Sequence, residues 1–153
     1  MRSNVLARET RGPLMKSLIT YLVEDNATVL DNLIETLREI ADVKVTAHTD
    51  TQADAIRWLE LHNGNWDLAI VDLFLKQGSG LGVLAGCRHR KPYQKIVVLS
   101  NYATPEIRLR AAALGADAIF DKSTELEGLI DFCLQQTASL QQHQQQKAPG
   151  QRV

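Results

Sequence analysis

Four short apolar runs in this chain each lead into side chains that can do chemistry. Residues 17–23 run into Glu24 and Asp25, residues 68–71 into Asp72 and residues 96–99 into Ser100, while residues 118–120 are followed, after Asp121, by Lys122. If the runs lie side by side, three carboxylates, a hydroxyl and an amine meet at one edge. Three negative charges in a partly desolvated cleft repel strongly. Mg²⁺ relieves this, because it takes an octahedral shell of oxygens, often one or two carboxylates plus waters. An ionised Asp72 beside the metal can attack phosphorus and form an aspartyl-phosphate. Charge then spreads over the equatorial phosphoryl oxygens, where Mg²⁺, Lys122 and the Ser100 hydroxyl each take a share. Taken singly, every residue has a plainer role. Asp72 could form a turn, Glu24-Asp25 could serve a helix start, Ser100 could sit in a turn, and Lys122 could be a solvated charge. Their joint placement after four runs favours a shared site.

The runs that must position these residues read as buried strands: 17–23, 68–71, 96–99 and 118–120, with a β-branched fifth at 43–49. Helical periodicity fills the gaps. Val29, Leu30, Leu33, Ile34, Leu37 and Ile40 share a face, with Asp25 or Asn26 as cap. Thr51 can cap a helix holding Ala55, Ile56 and Leu59. Asn63-Gly64-Asn65 is a turn, and residues 77–80 are a loop. Residues 81–89 form a weaker helix, since Gly82 and Gly86 are costly inside one. Thr104-Pro105-Glu106 opens a helix that Gly115 ends. Thr124 with Glu127 gives a capping box for a last helix carrying Leu126, Leu129, Ile130 and Cys133. This alternation predicts an α/β fold, a five-stranded parallel sheet with helices on both faces. In such sheets the ligand site lies at the carboxyl ends of the strands, near the point where strand order reverses.

A chain of 153 residues, 44% of them apolar, suits one domain with a sizeable core. A net charge of −1 supplies no electrostatic pull toward DNA or an anionic membrane, so neither is expected as a direct partner. Cys87 and Cys133 fit no metal-ligand spacing, and Cys133 falls on an apolar stripe as a small buried residue. With no signal-peptide core and no spanning run, a soluble cytoplasmic protein is expected. Residues 1–16 read as a flexible arm, with Met15 as an alternative start. Residues 17–138 form the domain, and residues 139–153 are expected to be a disordered Gln-rich tail in which His143 stands alone.

The pieces LVEDN, AIVDLFLKQGSGLGVL, IVVLSNYATPE and GADAIFDKS, in this order, resemble the CheY-like receiver domain of two-component response regulators over about residues 16–136. The resemblance implies a (βα)5, flavodoxin-like fold with Asp72 as phosphoacceptor. It implies that Asp25 binds Mg²⁺ directly, that Glu24 acts through water, and that the Phe74 backbone carbonyl completes the protein ligands. Ser100 becomes the switch hydroxyl, and Lys122 pairs with the phosphoryl group. The implied donor is a sensor histidine kinase or a histidine phosphotransfer protein, and the output is phosphorylation-dependent binding of an unidentified downstream protein, or a phosphorelay. The chain would act as a monomer or a phosphorylation-linked dimer, and as an enzyme only on its own phosphorylation and dephosphorylation. About 15 to 20 residues follow the last helix, too few for an output domain, so a stand-alone receiver is expected. Several positions depart from the common pattern: Lys76, Asn101, Ser123, and Ile119 where a switch aromatic usually stands. Phe74 and Tyr102 stand where the family's water path to the phosphoryl group is lined. A flavodoxin-like cofactor binder would need a Ser/Thr/Gly-rich phosphate loop in place of Glu24-Asp25. A degenerate receiver, acting only as a binding module, would be expected to lack part of the site residues.

Overall fold

The computed structural model describes residues 17–146. The arm expected over residues 1–16 and residues 147–153 lie outside the described residues. Five parallel strands form one sheet: β1 (Leu18–Val23), β2 (Val43–Thr49), β3 (Leu68–Asp72), β4 (Lys95–Ser100) and β5 (Ala118–Asp121), in the order β2-β1-β3-β4-β5. Between them run α1 (Ala27–Ala41), α2 (Gln52–Leu61), α3 (Gly80–Gly86), α4 (Pro105–Ala113) and α5 (Leu126–Gln146). The strand order reverses between β1 and β3, so the loops after these two strands flank the switch point.

The strands are apolar on both sides because both faces are covered. Leu22, Leu68, Ile70, Val97 and Leu99 pack with Leu30, Leu33 and Leu37 of α1 and Leu129 and Cys133 of α5. The alternate residues Tyr21, Val23, Ala69, Val71, Ile96 and Val98 pack with Ala55 and Leu59 of α2, Val83 and Leu84 of α3 and Ala111 of α4. This is the two-residue period of a strand sorting one run into two cores. Burial pushes the Cys133 thiol up to about 12, which suits a packing role. Among the described residues, no helix is long and apolar enough to cross a membrane.

Caps set the helix starts. Asn26 accepts from Val29 N–H at 3.0 Å, Thr51 from Asp54 N–H at 3.2 Å, and Thr104 from Ile107 N–H at 3.3 Å. Three expectations need correction. First, α3 stops at Gly86, not His89. Two glycines weaken it, and Arg90 draws off the Cys87 carbonyl at 3.3 Å. Second, α5 starts at Leu126 rather than on a Thr124 capping box, because the Asp121 carboxylate takes the N–H groups of Ser123 (2.8 Å) and Thr124 (3.2 Å). Third, the backbone stays helical to Gln146, eight residues into the stretch expected to be a disordered tail from Ser139. Glutamine is a good helix former, and extending a helix already nucleated on the sheet adds one hydrogen bond per residue fixed.

Candidate functional site

Register aligns the strand ends. Val23 pairs with Thr49 on one side and Val71 on the other, Asp72 pairs with Leu99, and Ser100 with Asp121. Glu24 and Asp25 therefore leave β1 beside Asp72, and Lys122 follows β5 two strands away. The long Lys122 side chain crosses that gap. Its Nζ lies 3.2 Å from Asp72 Oδ1 and 3.0 Å from Glu24 Oε1. Its root is set by its own N–H, which donates to the Ser100 carbonyl at 3.0 Å.

Glu24 is buried and Asp25 is exposed. The second Glu24 oxygen accepts Asn26 N–H at 3.1 Å, which holds the carboxylate at the start of α1. Carboxylate oxygens of Glu24, Asp25 and Asp72 all lie within 4.8 Å of one another. Such a set of hard oxygen donors fits Mg²⁺ or a similar divalent cation. Burial pushes the Asp72 carboxyl up from 3.8 to about 6; Lys122 pulls against this, and the charges of Glu24 and Asp25 add to it. Burial works to lower the Lys122 amine, yet its bonds to Glu24 and Asp72 outweigh that and hold it above its ordinary value. The arrangement is thus a nucleophilic carboxylate short of positive charge, with one ammonium in place and room for a cation.

The site opens into a cleft of about 610 Å³ lined by Glu24, Asp25, Asp72, Phe74, Tyr102 and Lys122 among others. Phe74 and Tyr102 stand on the loops after β3 and β4 and meet edge to face, with ring centroids 5.4 Å apart. Both rings are more than half exposed, at 58% and 61%. They lie along the cleft rather than turning away from it.

Ser100 is placed differently from the other candidates. It is fully buried, and its Oγ accepts Tyr102 N–H at 2.8 Å. Asp72 stands opposite Leu99, so Ser100 follows the parity of Ile96 and Val98, the residues of the other face. The structure therefore groups Glu24, Asp25, Asp72 and Lys122 directly and keeps the Ser100 hydroxyl in its own turn. Ile119, where an aromatic was looked for, packs against the core beneath α2, α3 and α4.

Sequence reading also passed over Gly80. A Cβ there would overlap the Asp72 carbonyl oxygen, so only glycine lets α3 begin this close to the acceptor. Its place in a run of glycines, QGSGLG, was the available signal. Arg108 went unnoticed too. Its guanidinium donates to the carbonyls of Ala103 (2.9 Å) and Ile119 (3.3 Å) and to Glu125 (2.9 Å), tying the loop after β4 to the loop that carries Lys122.

The sequence matches the response regulator receiver domain over residues 20–133. It is 26% identical over 129 residues to the photosynthetic apparatus regulatory protein RegA of Rhodobacter capsulatus, a match covering 84% of this chain and 68% of RegA. It is 27% identical over 110 residues to the alginate biosynthesis transcriptional regulatory protein AlgB of Pseudomonas syringae, covering 72% of this chain and 22% of AlgB. Among solved structures, a response regulator protein from Burkholderia pseudomallei with a phosphorylated aspartic acid, a calcium ion and citrate shares the fold, with a TM-score of 0.64 at 21% identity over 87% of this chain and 76% of that one.

Proposed function

Because this chain belongs to the response regulator receiver domain family, we propose that Asp72 accepts a phosphoryl group from a phosphohistidine of a histidine kinase or phosphotransfer protein. The observation that carries this reading is the Lys122 ammonium, held between Asp72 and Glu24 at 3.2 and 3.0 Å within a three-carboxylate cluster. In the transfer, an Asp72 Oδ forms the new P–O bond as the P–N bond to imidazole breaks, and the imidazole nitrogen leaves with its electron pair and takes a proton. Glu24, Asp25, Asp72 and the Phe74 carbonyl would hold a Mg²⁺, which when bound neutralises phosphoryl oxygens that Asp72 would otherwise repel. Lys122 shifts its ion pair from the free carboxylate to a phosphoryl oxygen. Ser100 must turn from its own loop to donate its O–H to another. Movement of that loop is the signal a partner protein reads. The calcium ion and phosphorylated aspartate described for the Burkholderia protein support this assignment of roles. The chemistry assigned to the chain is its own phosphorylation and dephosphorylation.

The test is incubation with Mg²⁺ and a small phosphodonor such as acetyl phosphate, followed by intact mass. One phosphate should add to wild type, and none to Asp72→Asn or to wild type in EDTA. Full labelling of Asp72→Asn would overturn the assignment.

A further inference from the structure

The segment after Asp72 is shaped from outside by one side chain. Gln52, the first residue of α2, accepts Ser79 N–H on its Oε1 at 3.0 Å. Its own N–H donates to the Gln77 carbonyl at 2.9 Å, and Lys76 N–H donates to the Asp50 carbonyl at 3.2 Å. A parallel bridge pairs Thr51 with Gln77. Residues 50–52 thus lace the loop that leaves the acceptor strand. Gln52 fills space as well: a Cβ on either Gly78 or Gly82 would overlap its side chain. Ser79 in turn faces Phe74 across an antiparallel bridge. That bridge is closed by Gly80 N–H donating to the Leu73 carbonyl at 2.9 Å, so it does not use the Phe74 carbonyl.

A backbone carbonyl cannot be aimed by its own side chain; the neighbouring chain must hold it. Here the neighbours are glycine-rich and precede a helix of only seven residues, so they have little order of their own. We propose that Gln52 is a positioning residue for the cation site: by holding Ser79, it fixes the Phe74 carbonyl beside the Glu24, Asp25 and Asp72 carboxylates. Gly78 and Gly82 are the reciprocal half of the device, since the Gln52 side chain occupies the places their Cβ atoms would take. The inference rests on the reading above that the Phe74 carbonyl faces the cation.

The test uses the full chain with Gln52→Ala, Gly82→Ala and the double variant. Two quantities are measured: hydrogen exchange of the Ser79 amide without metal, and Mg²⁺ affinity by titration. Gln52→Ala should speed exchange at Ser79 and weaken Mg²⁺ binding about tenfold, the scale of lost support behind a metal ligand. Gly82→Ala should do the same, because its methyl group pushes the Gln52 amide off Ser79. In the Gln52→Ala background, Gly82→Ala should add no further loss and should raise Tm, alanine being the better helix former. Unchanged Mg²⁺ affinity in both single variants, with Tm alone lowered, overturns the proposal. So does a double variant whose losses simply add. If wild type itself binds no Mg²⁺, the cation reading fails and this inference fails with it, a result distinct from the other two.

Discussion

Without a metal, the ionised Asp72 carboxylate is disfavoured by burial and by Glu24 and Asp25, and Lys122 offsets only part of this. The sign of the effect on stability follows. Between the unfolded value of 3.8 and the folded value of about 6, the folded state keeps a proton that the unfolded state has lost. Metal-free stability therefore falls as pH rises through that window and levels off above it. The shift corresponds to on the order of 3 kcal/mol. In EDTA, Asp72→Asn should melt above wild type at pH 7, and the gain should vanish by about pH 4. A gain independent of pH would point to another cause. Glu24 and Asp25 should also part company. Glu24 is buried and engaged by Lys122 and Asn26, whereas Asp25 is exposed at the cleft. Asp25→Ala should weaken Mg²⁺ binding more than Glu24→Ala in a direct titration, and equal losses would contradict the division of roles.

At the scale of loops and helices, the edge-to-face pair of Phe74 and Tyr102 forms an apolar lip on the cleft that serves the acceptor. Neither side chain carries a carboxylate or amide suited to orienting a water for attack on phosphorus, and both rings line the cleft. A long-lived phosphorylated state is expected. The double variant Phe74→Asn, Tyr102→Glu should lose phosphate on the order of tenfold faster after donor removal, a barrier change of about 1.4 kcal/mol. Equal or slower decay would sink the idea. Helix α5 offers a second test. Among the described side chains, Cys133, the buried Thr137 hydroxyl, which donates to the Ala41 carbonyl at 3.2 Å, and the partly buried Leu140 pack it onto the sheet and α1. Truncation after Leu140 should leave Tm and phosphorylation nearly unchanged. A large fall in Tm would show that the helical extension to Gln146 contributes to the fold.

For the molecule as a whole, one sheet carries two cores, and the charged site sits where strand order reverses between them. A cation bound there links both halves of the sheet, because its ligands leave β1 and β3 while Lys122 leaves β5. Mg²⁺ at about 100 times its Kd should stabilise the fold by about 2.7 kcal/mol. It should also flatten the decline in stability between pH 4 and 6, since bound metal replaces the proton on Asp72. Melts in Mg²⁺ and in EDTA across that range check both effects. A pH dependence identical in the two conditions would place the metal elsewhere.

Much of this protein is written in local pattern. Four apolar runs of strand length, each leading into a reactive side chain, and a β-branched fifth run determined the five strands, their parallel arrangement and the edge where Glu24, Asp25, Asp72 and Lys122 gather. Capping residues such as Asn26, Thr51 and Thr104 marked helix starts, because a cap bonds within its own turn. What depends on residues far apart in the chain could be settled only by the tertiary structure. Lys122 meets Glu24 across 98 positions. Ser100 is drawn into its own turn because register sets Asp72 against Leu99 instead. The Thr124 N–H, which the Glu127 side chain would accept in a capping box, goes to the Asp121 carboxylate instead. Gly78 and Gly80 read as part of a loop and Gly82 as a weak point in a helix, yet a Cβ on each would overlap the Gln52 side chain or the Asp72 carbonyl. Periodicity reports which face of an element is buried; it carries no record of which atom arrives there from another element.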